Sequence, residues 1–258
     1  MRTRRPCRAA VVGAALAIAS PIAAQESPST PPGVVATSPA TDSVYPFQTP
    51  PGAPMRTGVT TYRLSLLRDA GPTSLGVRTV EVSETQLGGV PTWLVAERRT
   101  GSAVPTTDSL WLTRAELTPV RWVGTIDRTQ LAASFSRDSV FGALQNYAGR
   151  SSFAAPMLPG VLVTPGMTER ILELLPLRAG YRAAASLLLV DMGTPRVLPA
   201  EIVVEREERI RTASGEADCW VVVVRASSLE ERLWVEKGRR MVVRREQLTS
   251  SGRVVAEL

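Results

Sequence analysis

From about residue 58 onward, apolar and polar residues alternate with a period close to two. In Thr61-Tyr62-Arg63-Leu64-Ser65-Leu66 the even positions are apolar and the odd ones polar, the pattern of a strand with one buried face. Leu75 and Val77 continue on odd positions, whereas Val80 and Val82 fall on even ones. That parity switch predicts a β-bulge between Val77 and Val80. Further strands are expected near 91–99, 107–113, 117–126, 129–136, 139–147, 181–190, 200–212, 217–226, 231–236, 240–248 and 252–257. Turn residues such as Gly88-Gly89, Gly101-Ser102, Ser214-Gly215 and Ser251-Gly252 separate several of them. Many short strands in series predict a mainly β domain: a strongly curved antiparallel sheet closing into a half-barrel or open barrel, or a sandwich.

One segment departs from this period. Thr164-Pro165 has the chemistry of an N-cap followed by proline at the first helical position. Met167, Ile171, Leu174 and Leu175 then recur at helical spacing, with Glu169, Arg170 and Glu173 expected on the opposite side, and Pro176 stops the run. The spacing predicts one short amphipathic helix near 165–175 between two β blocks. Two strand runs, Ser186–Val190 and Trp220–Val224, are apolar without alternation, so they need cover on both faces. If the sheet curls without filling its interior, it leaves an apolar groove roofed by the helix, with Met167, Ile171 and Leu174 pointing inward as ligand-binding residues. The alternative is an interior filled by the protein's own side chains.

The N-terminus changes the picture of where this domain works. Arg2, Arg4, Arg5 and Arg8 precede the short apolar run Ala9–Ala19, and Ile22-Ala23-Ala24 offers small residues for cleavage. Residues 1–24 therefore read as a signal peptide, the apolar run falling well short of the roughly 20 residues a membrane span needs. Cys7 precedes the apolar run, where a lipid-acceptor cysteine would follow it. A periplasmic or secreted protein without a lipid anchor is expected. Residues 25–57 hold 8 of the 20 prolines and read as a disordered linker, leaving 58–258 as a single antiparallel β domain.

Loss of residues 1–24 removes four arginines and no acids, so the net charge of +6 falls to +2. The remaining arginines alternate with acids, as in Glu205-Arg206-Glu207-Glu208-Arg209, the pattern of a solvated face rather than a phosphate-binding stripe. Nucleic acid is not an expected partner. The chain contains no histidine, which removes serine–histidine and cysteine–histidine catalysis, histidine metal sites and the commonest neutral-pH base. Cys219 stands inside Cys219-Trp220-Val221-Val222-Val223-Val224, where a buried thiol behaves as a small apolar group.

The acids form no convincing pair: Glu205, Glu207 and Glu208 share one charged strand, Glu230-Glu231 is expected at a solvated turn, and the aspartates are scattered singly. No G-x-S-x-G elbow or phosphate-cradling glycine loop is present. No catalytic residue, metal ligand or cofactor is expected. LWLTRAELTPVR (Leu110–Arg121) and LWVEKGRRMVVR (Leu233–Arg244) echo one another. Each reads as a β-hairpin, and convergence of hairpins on such patterns explains the echo more simply than an ancestral duplication.

These two hairpins, together with ILELLPLRAGYRAAASLLLVD and SGEADCWVVVVRA, resemble a family of bacterial envelope proteins catalogued as domain of unknown function 3108. That family is similar to the lipoprotein-carrier superfamily. The resemblance implies a curved antiparallel half-barrel with a helix against its concave face, where the carriers hold acyl chains, and it brings no catalytic residues. The functional expectation is a non-enzymatic envelope domain taking a lipid, an acyl chain or a lipoprotein partner in its groove. The alternative expectation is a structural or protein-interaction module with a filled core.

Overall fold

The computed structural model describes residues 46–49, 54–101, 105–126, 128–191, 194–213, 215–227 and 229–258. The expected signal peptide, and most of the expected proline-rich linker, lie outside these residues. The strands are β1 (Gly58–Arg68), β2 (Gly71–Leu87), β3 (Val90–Thr100), β4 (Thr106–Thr113), β5 (Pro119–Ile126), β6 (Thr129–Phe135), β7 (Ser139–Asn146) and β8 (Gly149–Pro156). After the short β9 (Val161–Leu162) comes the helix α1 (Pro165–Leu174). Then follow β10 (Arg182–Asp191), β11 (Thr194–Thr212), β12 (Gly215–Ala226), β13 (Leu229–Glu236), β14 (Met241–Thr249) and β15 (Gly252–Glu257).

All of them join one sheet in the order β8-β7-β6-β5-β4-β3-β2-β1-β15-β14-β13-β12-β11-β10-β9. Two meanders are thus stitched together along β1 and β15, where Leu64 faces Ala256 and Leu66 faces Val254. Pairing is antiparallel except between β9 and β10. The far ends of the sheet approach each other, with β8 lying against β11. The result is a mainly β architecture: an open, curled, barrel-like sheet with one helix, as the alternating pattern predicts.

The bulge near the start of β2 sits at Leu75. Leu64 pairs with Gly76 and Ser65 with Ser74, which leaves Leu75 as the extra residue. Gly76 is required there, since it adopts φ +101° and a Cβ would fall 2.0 Å from the Thr100 carbonyl oxygen. The bulge therefore lies ahead of the expected 77–80 interval. The inward set of β2 already includes Arg78, fully buried, and an arginine is invisible to a search for apolar parity. β8 was not expected, because Gly149–Pro156 is a mostly exposed edge without alternating apolar residues. β11 starts earlier than 200. Pro195 and Pro199 pair only toward β10, since β12 joins from Glu201 onward, and a strand tolerates proline on its unpaired side.

The echo between the two hairpins extends far beyond twelve residues. β1–β6 and β10–β15 correspond strand by strand at a nearly constant separation in sequence, including the unusually long β2 and β11. Both hairpins break register at the same place, between Trp111 and Leu112 and between Trp234 and Val235. Their turns place Leu117 and Arg240 at φ 55° and 50°. Arg121 stacks over Trp111 at 5.7 Å and Arg244 over Trp234 at 5.1 Å. Convergence of isolated hairpins does not produce such a shared backbone path. Internal duplication fits it, contrary to the simpler reading of the sequence.

The packed chain begins before β1. Met55 is 3% exposed and part of the core, and Phe47 packs against it while donating its N–H to the Ala184 carbonyl at 2.9 Å. The core itself fills the inner face of the curl, from Trp93, Leu110 and Trp122 to Ile202, Val222 and Leu233. A smaller apolar cluster of Ala217, Cys219, Val221, Trp234 and Val243 lies on the outer face.

Candidate functional site

The helix forms where the sequence places it. Thr164 caps it, its hydroxyl accepting from the Met167 N–H at 3.2 Å, and Pro165 opens the first turn. Its surroundings differ from the amphipathic expectation. Every residue from Gly166 to Glu173 is buried, Glu169 completely and Arg170 to within 2%. The sheet wraps the helix, so the side expected to be polar and exposed faces β-strands too. Buried charges of this kind need partners.

Those partners come from the inner faces of β1, β2, β3 and β14. Arg78 donates through Nη1 to Glu169 Oε1 at 2.6 Å and through Nη2 to Glu169 Oε2 at 2.9 Å, a two-pronged pair. The same Nη2 reaches Glu97 Oε2 at 3.2 Å, and the guanidinium lies 5.1 Å from the centre of the Tyr62 ring. Glu97 also accepts from Arg99 Nε at 3.1 Å and from the Gly166 N–H at 3.1 Å. Its carboxylate thereby sits at the positive end of the helix. At the other end, Glu173 Oε1 accepts from the Val242 N–H at 3.0 Å and pairs with Arg170 Nη2 at 3.0 Å. Arg170 also donates to the Tyr62 hydroxyl, which donates to the Val242 carbonyl at 3.2 Å. Arg240 closes the C-terminus, donating to the Glu173 carbonyl at 3.1 Å and to the Leu175 carbonyl.

The electrostatics follow from burial against pairing. Burial alone would raise the Glu97 carboxyl, yet the Arg78 and Arg99 charges outweigh it and hold it at about 2. Glu173 is pushed up to about 7, burial and the Glu169 charge prevailing over Arg170 and the Val242 N–H. Asp108 is pushed up to about 6 by burial and by Glu97, against a hydrogen bond from Trp122 Nε1 at 2.9 Å. The Tyr62 phenol is raised well above its ordinary value, chiefly by burial.

A second buried ion pair joins Glu231 on β13 to Arg245 on β14, Nε to Oε2 at 3.3 Å. Glu231 is 7% exposed, which corrects the expectation of a solvated turn. It pairs in register with Val224 on β12 and Gln247 on β14, and pairing with Arg245 makes its burial tolerable. The charged run Glu205–Arg209 is mostly exposed, as its alternation implies, with Arg206 bound to Glu205 and Glu208.

Met167 and Ile171 are each 1% exposed and point into the core, while Leu174 is half-buried at the rim of an open cleft. That cleft has a volume of about 240 Å³ and lies at the C-terminal end of α1, where Met55, Arg56, Arg170, Glu173 and Arg240 also line it. The three expected groove residues thus share one helix, but only Leu174 meets open space. Sequence reasoning missed Arg78, Glu97 and Tyr62. The signal available was Arg78 standing in parity with Val80 and Val82 on an otherwise apolar face. A second cleft of about 330 Å³ lies on the outer face among Arg63, Arg211, Arg244, Val243 and Leu258.

The interior carboxylates of Glu97, Glu169 and Glu173 are each tied to guanidiniums or main-chain N–H groups, while Asp108 accepts from the Trp122 indole. What this arrangement does is hold a helix, charges included, inside a β-sheet.

No protein-family model matches the chain, and no curated protein matches it. Among solved structures it is similar to a beta-barrel-like protein of domain of unknown function DUF1849 from Brucella abortus. The two are 10% identical, with 80% of this chain and 97% of that chain covered and a TM-score of 0.49. The class defined by the sheet itself is a β-barrel-like domain. None of these comparisons extends to domain of unknown function 3108 or to the lipoprotein carriers in particular.

Proposed function

We propose that this chain is an exported, non-catalytic envelope domain acting as a structural or protein-interaction module, its interior filled by its own helix. The observation that carries the reading is the burial of α1 from Gly166 to Glu173. The space in which a carrier would lodge an acyl chain is taken up by Met167, Ile171 and the Arg78–Glu169 pair. A binding pocket for a small apolar ligand is typically about 300–1,000 Å³ and apolar. The cleft beside Leu174 is smaller and lined by three arginines. The chain has no histidine, and among the described residues Glu97, Glu169 and Glu173 are engaged by guanidiniums or main-chain N–H groups, which supports a non-catalytic reading. Export rests on the arginine, apolar and small-residue run of residues 1–24, and partners are then sought among envelope proteins.

Native mass spectrometry after lipid extraction, combined with titration of a fluorescent fatty acid, tests this reading. No co-purifying lipid and no saturable probe uptake are expected. Stoichiometric uptake displaced by lipid would replace it with the carrier reading. Recovery from the periplasm or medium of a chain beginning within a few residues of Ala24 is expected, and one beginning at Met1 would remove the export step.

A further inference from the structure

We propose that the cleft at the C-terminal end of α1 is a binding site for a small oxyanion, a carboxylate or phosphate group, held by Arg56, Arg170 and Arg240.

Three guanidiniums line this cleft and one carboxylate, Glu173, opposes them. Two of the arginines are held by uncharged acceptors that orient them without neutralising them. Arg56 donates to the Arg239 carbonyl at 2.7 Å and to Met241 Sδ at 3.6 Å. Arg240 donates to the carbonyls that end the helix. The third, Arg170, is 2% exposed, and its Nε is buried with no hydrogen-bond partner. Its Nη2 pairs with Glu173, so the Nε is hydrogen-bonding capacity beside the cleft that Glu173 does not use. Arginines contributed to one cleft by a helix and two loops offer the planar fork geometry that suits carboxylate and phosphate. Met55 and Leu174 supply an apolar wall against which a short alkyl tail can lie, while the volume of about 240 Å³ restricts the ligand to a small molecule or a single headgroup.

Glu173 sets the pH dependence. The groups facing it are Arg170, the Val242 N–H, Glu169 and Arg56. Its carboxyl titrates at about 7, so acidification from pH 8 to pH 6 removes the one negative charge lining the cleft. Anion affinity is expected to rise over that interval.

Calorimetric titration of the mature chain with inorganic phosphate and with hexanoate tests the site, and vesicles of phosphatidylglycerol against phosphatidylcholine distinguish a lipid headgroup from a free ion. One-to-one saturable binding is expected for at least one probe, tighter at pH 6 than at pH 8 and weakened tenfold or more by Arg56→Gln. Arg56 is exposed, so that variant keeps the fold, as circular dichroism and an unchanged melting temperature would verify. Arg63→Gln with Arg211→Gln on the outer cleft should leave binding intact. Absence of saturable binding to every probe, binding indifferent to Arg56→Gln, or loss through the outer pair would each overturn the proposal. None of these outcomes bears on whether the interior is filled, which the fatty-acid titration decides.

Discussion

Arg78 Nη1 meets Glu169 Oε1 at 2.6 Å, across 91 residues of chain, with both side chains withdrawn from water. This contact joins the inner face of β2 to the buried helix, so it reports directly on whether α1 sits inside the sheet. Removing one member strands a charge in a low-dielectric interior. Glu169→Gln or Arg78→Met should each destabilise the domain by about 3–5 kcal/mol. Replacing both, as Arg78→Met with Glu169→Leu, should cost less than the sum of the two single changes, because Glu97 loses Arg78 in both the single Arg78 variant and the double one. Urea denaturation of the four proteins measures this, and additive single effects would contradict the buried pair.

Stability should fall on the alkaline side of neutrality. Asp108 and Glu173 have folded values of about 6 and about 7 against ordinary values of 3.8 and 4.5. A carboxyl raised on folding favours the folded state while protonated, so its contribution is present at about pH 4 and is lost as pH rises through the folded value. Glu97, lowered from 4.5 to about 2, has the opposite sign: its contribution is present above 4.5 and lost on acidification toward pH 2. Stability should therefore peak near pH 4–5 and drop by about 1–3 kcal/mol by pH 8. Asp108→Asn combined with Glu173→Gln should flatten that decline. A wild-type profile already flat between pH 5 and pH 8 would refute the assignment.

The filled interior predicts sharp intolerance to added volume. A Cβ at Gly142 would lie 2.1 Å from the Ala132 carbonyl oxygen and 2.8 Å from Phe153 Cζ. Gly142→Ala should cost about 1–3 kcal/mol or more by prising β6 from β7. At Gly238 the nearest atom to a new Cβ is Glu236 Oε1 at 3.9 Å, so Gly238→Ala should change stability by no more than about 0.5 kcal/mol. Equal melting temperatures for the two variants would speak against this close approach of β6 and β8 to Gly142.

Cys219 should be chemically silent. It is fully buried in the outer-face cluster, and burial pushes its thiol up to about 11, with the charges of Glu236, Asp218 and Glu208 adding to the rise. Ellman's reagent should react over hours with the folded protein and within seconds in urea. Stoichiometric labelling of folded protein within a minute would show the cluster to be open.

The packing of Met55 makes the start of the domain measurable. Met55→Ala should cost about 2–5 kcal/mol. A chain starting at residue 58 should unfold at lower denaturant than one starting at residue 44. Identical midpoints would show that Met55 contributes nothing to the core.

Local pattern was enough for most strands of the two meanders, though not for β8 or the start of β11, and for the two Trp hairpins, the Thr164 cap and the limits of α1, because alternation, turn residues and capping hydroxyls act within a few residues of one another. The same pattern misled wherever a charged residue is buried. Arg78, Glu97, Glu169 and Glu231 look solvated in sequence, since an isolated charge belongs in water. Each becomes tolerable inside only because a partner arrives from another strand or from the helix, 91 residues away in the case of Arg78 and Glu169. Whether α1 roofs the sheet or is enclosed by it is likewise not a property of α1. It follows from how tightly fifteen strands curl, which depends on the bulge at Leu75, on the repeated register breaks beside Trp111 and Trp234, and on the seam between β1 and β15. Sequence alternation states which face of each strand turns inward. The long-range pairings decide how much room that inward face leaves, and here it leaves room for one helix.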